Sequence, residues 1–189
     1  MKTMKYLSFL TCAIGLVLSV QSCNSEKSKS SSEEPAAAVK TSNLDENYVT
    51  ELYSHYVNSP VQQAHIDENI IIDHILEGEE EYVRTPSGLY YYVLKQGNGN
   101  NYVHGQDCST DYKGYFLDQR VFDSSYSRGE PIHFKIGQMN PAWNEALKLV
   151  NPGTHFKLIA PSRLAYGARG FPGYVPPNTV IAFEVVTLP

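Results

Sequence analysis

The chain has 189 residues, 42% of them hydrophobic, and a formal net charge of −5 at pH 7. This length and composition suffice for one globular domain with appendages. The acidic balance and the lack of a Lys/Arg-rich run in the body of the sequence argue against nucleic acid as a partner.

The N-terminus has the pattern of a secretory signal. Two lysines precede an apolar run over residues 6–20, which is too short for a comfortable membrane span. The run ends in VQSC at 20–23, which resembles the lipobox of bacterial lipoproteins, where the cysteine is acylated and becomes the mature N-terminus. Gln21 departs from the small residue usual there, and an ordinary cleaved signal is the alternative. We therefore predict a signal peptide over 1–22 and lipidation at Cys23.

The residues that follow predict a tether. Residues 24–41 are rich in Ser, Glu, Lys and Ala, with almost nothing to bury, so the segment 23–41 is predicted to be a disordered, membrane-anchored linker. With Cys23 acylated, Cys108 is the only other cysteine of the mature chain, and an internal disulfide is impossible. No neighbour of Cys108 suggests an activated thiol, so we expect a small buried residue.

Two helical patterns predict a helical extension over residues 42–82. A capping-box spacing at Ser42 precedes apolar residues that recur every four positions: Leu44, Tyr48, Leu52 and Tyr56. Ser59-Pro60 predicts the start of a second helix, with proline in the first turn, and Gly78 predicts its end. The apolar positions of this second pattern are Ile66, Ile70, Ile71, Ile75 and Leu76. The extension either covers an edge of the main domain or forms a dimerisation arm.

From residue 83 the pattern changes to short strands separated by turns. The predicted strands are Gly88–Leu94, Cys108–Tyr115, Pro131–Ile136, Thr154–Ala160 and Thr179–Thr187. A single helix, Pro141–Val150, interrupts them. Because strands and helices do not alternate, the pattern predicts an α+β fold with an antiparallel sheet packed on one helix.

Common catalytic and cofactor motifs do not occur in this sequence. The six histidines show no HxxxH or HExxH spacing, no serine lies in a GxSxG motif, and the glycines follow no phosphate-loop pattern. We therefore expect neither a metal nor a cofactor.

The aromatic residues and turns of the C-terminal region occur in a familiar order. The motifs are DYKGY at 111–115, VFDSS at 121–125, WNEAL at 143–147, LAYG at 164–167, PGYVPPN at 172–178 and AFEV at 182–185. Together they resemble the signature of the FKBP-type peptidyl-prolyl cis-trans isomerases, over about residues 83–189. The resemblance implies a twisted antiparallel β-sheet wrapping one short α-helix, and proline-containing polypeptides as substrates.

The resemblance also implies a proline pocket with Trp143 as its floor. Its walls would be Tyr112, Phe122, Phe134, Val175 and Phe183, with Asp123 and Tyr166 as polar groups at the rim. The catalytic set would be Tyr112, Phe122, Asp123, Trp143, Tyr166 and Phe183. Further substrate-binding positions would be Ile132, Phe134, Met139, Asn140, Phe171, Tyr174 and Val175. Tyr174 replaces a usual aliphatic residue and Ile132 an occasional aromatic one, so substrate preference should differ more than the fold.

One segment departs from the family pattern. Many relatives read Val-Ile-Pro-Gly-Trp where this chain has Met139-Asn140-Pro141-Ala142-Trp143. In the family the backbone N–H at the Asn140 position binds the ligand carbonyl, and any residue but proline keeps that donor. We expect the Asn140 side chain to compete for this contact or to hold water in the pocket. We also expect the Ala142 methyl to strain a loop that needs an unusual φ, and the activity to be weak.

Three functions are compatible with these patterns. The first is a membrane-tethered prolyl isomerase for exported proteins, located in the cell envelope of a Gram-negative bacterium, on the periplasmic side or at the outer membrane. The second is a chaperone or assembly module that holds proline-containing segments in the same cleft without catalysis. The third is a structural lipoprotein whose cleft is filled by its own side chains. A dimer through residues 42–82 is an additional hypothesis.

Overall fold

The computed structural model describes residues 43–189. The predicted signal peptide, the lipidated Cys23, the tether and the Ser42 cap lie outside this range. A bilayer-spanning helix would need more length and hydrophobicity than any helix between residues 43 and 189 has.

Most of the helices and strands begin close to the positions that the sequence predicts. The helices are α1 (Glu46–Ser54), α2 (Gln63–Leu76), α3 (Ser125–Arg128) and α4 (Pro141–Leu149). The strands are β1 (Val83–Arg84), β2 (Tyr90–Lys95), β3 (Asp107–Phe116), β4 (Val121–Ser124), β5 (Ile132–Lys135), β6 (His155–Ala160) and β7 (Ile181–Thr187). Short 3₁₀ turns at Ser162–Leu164 and Gly167–Arg169 lie between β6 and β7.

The seven strands form one antiparallel sheet in the order β1-β2-β6-β7-β3-β4, with β5 paired to β3. Side chains of a strand point alternately to its two faces. On the central strand β7, Phe183 therefore joins the core beneath α4, while Ala182 joins the core beneath α2. The predicted antiparallel α+β fold is confirmed, and the sheet separates two cores.

Helix α4 covers one face of the sheet. Asn140 caps its N-terminus and Pro141 occupies the first turn, where a missing N–H is harmless. Ala142, Trp143, Ala146 and Leu147 then lie on one side of the helix and are all buried. This is the single helix that the sequence predicts inside the strand-rich region.

Helix α2 covers the other face. Ile71, Ile72 and Ile75 are almost completely buried and pack in one cluster with Tyr90 of β2 and Ile159 of β6. Burying an isoleucine side chain contributes roughly 1.5–3 kcal/mol. The extension thus packs on the sheet of its own chain through α2.

Several boundaries differ from the sequence-based expectations. Helix α1 begins at Glu46, four residues after Ser42. Its cap is Asp45, whose carboxylate accepts from the N–H groups of Asn47 and Tyr48 at 2.9 and 3.3 Å. The expected start of α2 at Ser59-Pro60 is wrong, because Ser59 has a φ of 58° and the helix begins only at Gln63. The short elements β1, β4 and α3 were not predicted.

Candidate active site

The aromatic side chains of three strands surround one tryptophan. Trp143 of α4 is 1% exposed, and its ring meets those of Tyr112, Phe183 and Phe134 at centroid distances of 5.2, 5.4 and 5.9 Å. All three contacts are edge-to-face, the geometry that the charge distribution of aromatic rings favours. Trp143 therefore lies at the centre of an apolar ring cluster, as a pocket floor requires.

A glycine in β3 allows this cluster to continue. Gly114 pairs with Phe183 of β7 on one side and with Asp123 of β4 on the other. A Cβ atom there would lie 2.8 Å from the Phe122 ring and 2.9 Å from the Phe183 ring. Because no side chain fills this space, Phe122 approaches Phe183 to 5.7 Å between centroids.

A hydrogen-bonded group of three polar residues stands beside the rings. The Tyr112 hydroxyl donates to Asp123 Oδ2, Arg128 Nη1 donates to Asp123 Oδ1, and Arg128 Nη2 donates to the Tyr112 hydroxyl oxygen at 2.9 Å. Burial first, and then the Asp123 carboxylate, raise the pKa of Tyr112 to about 12. The hydroxyl therefore stays protonated at neutral pH and fixes the Asp123 carboxylate.

The loop between β6 and β7 carries a stack of three aromatic rings. Phe171 stacks on Tyr166 at 5.3 Å and on Tyr174 at 4.9 Å, with interplanar angles of 13° and 19°. Burial, and then the charge of Asp123, raise the pKa of Tyr166. Gly170 makes the turn possible, because its φ is 67° and a Cβ would lie 2.4 Å from the Val175 carbonyl oxygen. The loop leaves the Phe171 and Tyr174 rings exposed.

The segment before α4 is fixed by two asparagines. Asn140 Oδ1 accepts from the Trp143 N–H at 3.0 Å, whereas its own backbone N–H has no acceptor within residues 43–189. Asn144 Oδ1 accepts from Gly137 N–H at 2.8 Å and from Met139 N–H at 3.3 Å, and its Nδ2 donates to the Met139 carbonyl. The free Asn140 N–H is therefore held in a defined position beside Trp143.

The comparisons with known proteins agree with this geometry. The sequence profile of the FKBP-type peptidyl-prolyl cis-trans isomerases matches residues 99–188. The crystal structure of AtFKBP13 matches with a TM-score of 0.56 and 31% identity, over 58% of this chain and 98% of that one. This chain belongs to the FKBP family. The resemblance inferred from the motifs and the predicted FKBP-like fold are both confirmed.

Other FKBP relatives are longer than this chain. FkpA of Escherichia coli, an FKBP-type peptidyl-prolyl cis-trans isomerase, is 40% identical over 111 residues, which are 58% of this chain and 41% of that protein. Outer membrane protein MIP of Legionella longbeachae is 35% identical over 103 residues, 54% of this chain and 44% of that protein. The crystal structure of FkpA matches with a TM-score of 0.60 and 30% identity, over 74% of this chain and 62% of that one. The chain thus spans less than half the length of these two curated relatives.

The two departures from the family pattern have structural explanations. The Asn140 side-chain oxygen accepts from the Trp143 N–H and so caps α4, while the effect of the side-chain amide on substrate binding stays a prediction. The expected strain at Ala142 is wrong, because the residue lies inside α4 and is absent from the positive-φ residues within 43–189. Its methyl group is buried in the core beneath the helix.

The remaining predicted residues lie at different depths around Trp143. Ile132, Phe134 and Met139 are partly buried and pack against the core around Trp143, and Val175 is buried in it. Phe171 and Tyr174 are 45% and 59% exposed, and Phe171 stacks on both Tyr166 and Tyr174. The structure therefore places most of these residues at the core around Trp143 and leaves Phe171 and Tyr174 exposed.

Sequence reasoning missed three residues of this region. Arg128 lies on the short α3, Asn144 forms part of the WNEAL motif, and Phe116 packs on Phe122 at 5.3 Å. The only sequence signal for Arg128 is a basic residue closely following the VFDSS motif.

Between residues 43 and 189 no group of three His, Cys, Asp or Glu side chains could hold a metal ion. Cys108 is buried as expected, and burial raises the pKa of its thiol.

Proposed function

We propose that this protein is a peptidyl-prolyl cis-trans isomerase of exported polypeptides, with residues 83–189 as the isomerase domain. The observation that carries the proposal is the buried Trp143 ring, enclosed edge-on by Tyr112, Phe134 and Phe183. Such a cluster offers a flat apolar floor for a prolyl ring. Family membership supports the same activity.

The reaction requires rotation about an amide bond and no nucleophile. The barrier is about 18–20 kcal/mol, because resonance keeps the peptide bond planar. Resonance also separates charge between the oxygen and the nitrogen, so an apolar cleft stabilises the planar amide less than water does. The twisted amide loses less on entering the cleft, and the pocket therefore binds it in preference. A thousandfold acceleration needs roughly 4 kcal/mol of such preference.

Each polar group at the rim has a separate role in this mechanism. The free Asn140 N–H and the Tyr166 hydroxyl would donate to carbonyl oxygens beside the prolyl ring. Asp123, held by Tyr112 and Arg128, fixes a negative charge at the pocket mouth. These donors would hold the carbonyl oxygens on either side of the prolyl ring while the ring itself stays on Trp143.

The neighbouring substrate residues would contact the outer parts of the site. Phe171 and Tyr174 present a stacked aromatic surface beside Tyr166. The partly buried Ile132, Phe134 and Met139, with the buried Val175, complete the apolar lining. These contacts bind the planar and twisted forms alike and would set the substrate preference.

Placement in the cell envelope is proposed from the N-terminal sequence. The lipobox at 20–23 and the predicted tether would anchor the protein to a membrane through Cys23. A single acyl chain anchors only marginally, so stable attachment needs further chains. A relative named outer membrane protein MIP supports an envelope location. Cys23→Ser is expected to release the protein from the membrane fraction, and a variant that stays bound would refute the anchor.

Dimerisation through residues 42–82 is an additional proposal. Tyr53, Val61 and Ile70 of the extension are 46%, 89% and 42% exposed, so they remain available to a second copy. Sedimentation equilibrium tests this proposal by comparing the molecular mass of the wild type with that of the Tyr53→Ala and Ile70→Ala variants. A monomer at all concentrations would exclude the dimer.

A holding module is the second candidate function. The exposed Phe171 and Tyr174 rings favour it, since a stacked aromatic surface can retain an unfolded segment without accelerating isomerisation. In this case the protein would bind proline-containing peptides and leave their isomerisation rate unchanged.

An isomerisation assay separates the two functions. A soluble form spanning Asn24 to Pro189 is mixed with a short X–Pro peptide, alongside Trp143→Ala and Asp123→Ala, with Tyr53→Ala and Asp73→Ala as exposed controls on α1 and α2. We expect the wild type and both controls to accelerate isomerisation and the two site variants to lose most of the effect. A folded wild type that binds the peptide without acceleration would instead establish the holding module.

A further inference from the structure

Helix α2 contains a fully buried carboxylate that the proposed mechanism does not use. Asp67 is 0% exposed, and its partners within residues 43–189 are three uncharged donors. Its Oδ2 accepts from the Ser162 N–H at 2.8 Å and from the Ser162 hydroxyl at 2.6 Å, and its Oδ1 accepts from Gln63 Nε2 at 2.7 Å. A buried carboxylate is strongly destabilising unless such bonds satisfy it. An apolar residue would serve the packing of α2 alone, so this carboxylate calls for another role.

Ser162 is the start of the loop that carries the aromatic stack. It begins the 3₁₀ turn that follows β6, and it is 2% exposed. Backbone bonds from Leu164 N–H to the Pro161 carbonyl and from Ala165 N–H to the Ser162 carbonyl, at 2.9 and 3.0 Å, make the turn compact. Tyr166 lies two residues beyond the end of this turn.

The loop is tied down again beside this contact. Arg163 Nη2 donates to the Ser87 carbonyl, and the Ser87 hydroxyl contacts both carboxylate oxygens of Glu145 on α4 at 2.8 and 2.7 Å. The start of the loop is thus attached to α2 through Ser162. It is also attached to α4, because Arg163 bonds Ser87 and Ser87 bonds Glu145. Further along, the Asn178 N–H donates to the Gly167 carbonyl at 2.9 Å. The backbone N–H and carbonyl of Phe171 bond Val175 within the loop, each at 2.8 Å.

We propose that Asp67 is a positioning residue for the active-site loop, through which the helical extension fixes the Tyr166 hydroxyl and the Phe171–Tyr174 stack at the pocket rim. Its consequence for catalysis rests on the proposed isomerase function, whereas its effect on the loop does not. The extension is then part of the catalytic apparatus as well as a cover for the sheet.

Another buried polar residue of α2, Asn69, has different partners. Asn69 is 8% exposed, and it bonds the backbone of Val57 in the link between α1 and α2, at 3.0 and 2.8 Å. It therefore supports the extension without touching the loop. Asn69→Ala is a matched control, because it removes a buried polar side chain from the same helix.

Hydrogen exchange and kinetics of the full chain in detergent test the proposal, with Asp67→Asn, Ser162→Ala and Asn69→Ala compared with the wild type. The first two variants should accelerate amide exchange in peptides covering residues 162–178 by at least about fivefold and leave β3 and β7 unchanged. Their kcat/KM should fall by about tenfold, because the rim groups are displaced. Asn69→Ala should leave both the loop exchange and kcat/KM within about twofold of the wild type.

The outcomes separate this proposal from the proposed function. Wild-type exchange rates in the loop of both folded variants would overturn the role of Asp67. If Asp67→Asn does not fold, Ser162→Ala decides, since it removes only one of the hydrogen bonds. A wild type without isomerase activity would refute the proposed function, while the exchange data would still decide whether α2 positions the loop. If Asn69→Ala accelerates amide exchange in the loop as much as Asp67→Asn and Ser162→Ala do, the effect is general destabilisation, and this result would also refute the proposal.

Discussion

The two faces of the sheet are covered by helices that differ in chemistry. On one face, α4 presents Trp143 to aromatic rings of β3, β5 and β7, and polar groups collect at the edge of the cluster. On the other face, α2 presents isoleucines to β2 and β6. Aliphatic packing tolerates exchanges of similar volume, whereas aromatic pairs prefer edge-to-face or offset arrangements. We propose that the α4 face binds substrate and that the α2 face supports the sheet.

The strongest test of this difference is the removal of Trp143. Trp143→Ala should reduce kcat/KM by about a hundredfold or more, because the floor of the pocket is lost. It should also lower the free energy of unfolding by about 3–5 kcal/mol, as expected for a buried tryptophan. Isomerisation assays and urea denaturation measure the two effects. Full activity in the folded variant would mean that substrates bind elsewhere.

The corresponding change on the supporting face is Ile71→Ala. This residue is completely buried beneath α2, so the free energy of unfolding should fall by about 2–5 kcal/mol. Well below the unfolding transition, kcat/KM should stay within about twofold of the wild type. Asp73→Ala, on the exposed side of the same helix, is the control and should change neither quantity appreciably. A large loss of activity in folded Ile71→Ala would contradict the division between the faces.

A third test concerns the polar group at the pocket rim. Asp123→Asn keeps the shape of the side chain but removes the charge that binds Tyr112 and Arg128. We expect kcat/KM to fall about tenfold, since the rim is no longer fixed, and stability to change little because the group is partly exposed. Asp118→Asn, which breaks an exposed pair with Arg120, is the control. Equal activity in both variants would exclude Asp123 from the site.

Substitution of Asn140 should have a smaller effect and should change stability rather than activity. Asn140→Ala removes the cap of α4 and should lower the free energy of unfolding by about 1 kcal/mol. Because the backbone N–H remains, kcat/KM should stay within about twofold of the wild type. Asn140→Asp retains the cap and should be close to the wild type in stability. A clear gain of activity in Asn140→Ala would instead support the initial expectation that the amide disturbs the pocket.

The smallest expected effect is that of pH. Burial and the Asp123 carboxylate raise the pKa of Tyr112 to about 12, and burial also raises the pKa of Tyr166. A raised pKa keeps a hydroxyl protonated, and the proton is lost only as the pH rises through the raised value. The kcat/KM profile should therefore be flat from about pH 6 to about pH 9. A midpoint near neutrality would show that another titrating group controls the reaction.

The sequence predicted the binding face better than the supporting one. The aromatic motifs and turn residues gave the strands, α4 and the set of residues around Trp143. The role of Asn140 was missed, since a helix cap and a pocket amide have the same sequence signal. Arg128 was missed because the short α3 leaves no periodic pattern.

On the supporting face, the isoleucine pattern predicted a helix but not its orientation. Ile70 is 42% exposed, while the polar Asp67 is fully buried. Polar residues are buried when a specific donor from a distant part of the chain satisfies them, here Ser162. Hydrophobic periodicity contains no information about such a donor. The link between the two faces therefore became visible only in the structure.

If the proposed function is right, X–Pro bonds isomerise while the prolyl ring lies on the Trp143 indole. Trp143 is the single tryptophan of the chain, so its indole N–H gives one assignable NMR signal. A labelled X–Pro peptide is titrated into the protein while exchange between its cis and trans signals is measured together with this indole signal. We expect the cis–trans exchange of the peptide to accelerate and the indole signal to shift with the same dependence on concentration. Accelerated exchange without an indole shift, or an indole shift without acceleration, would contradict this expectation.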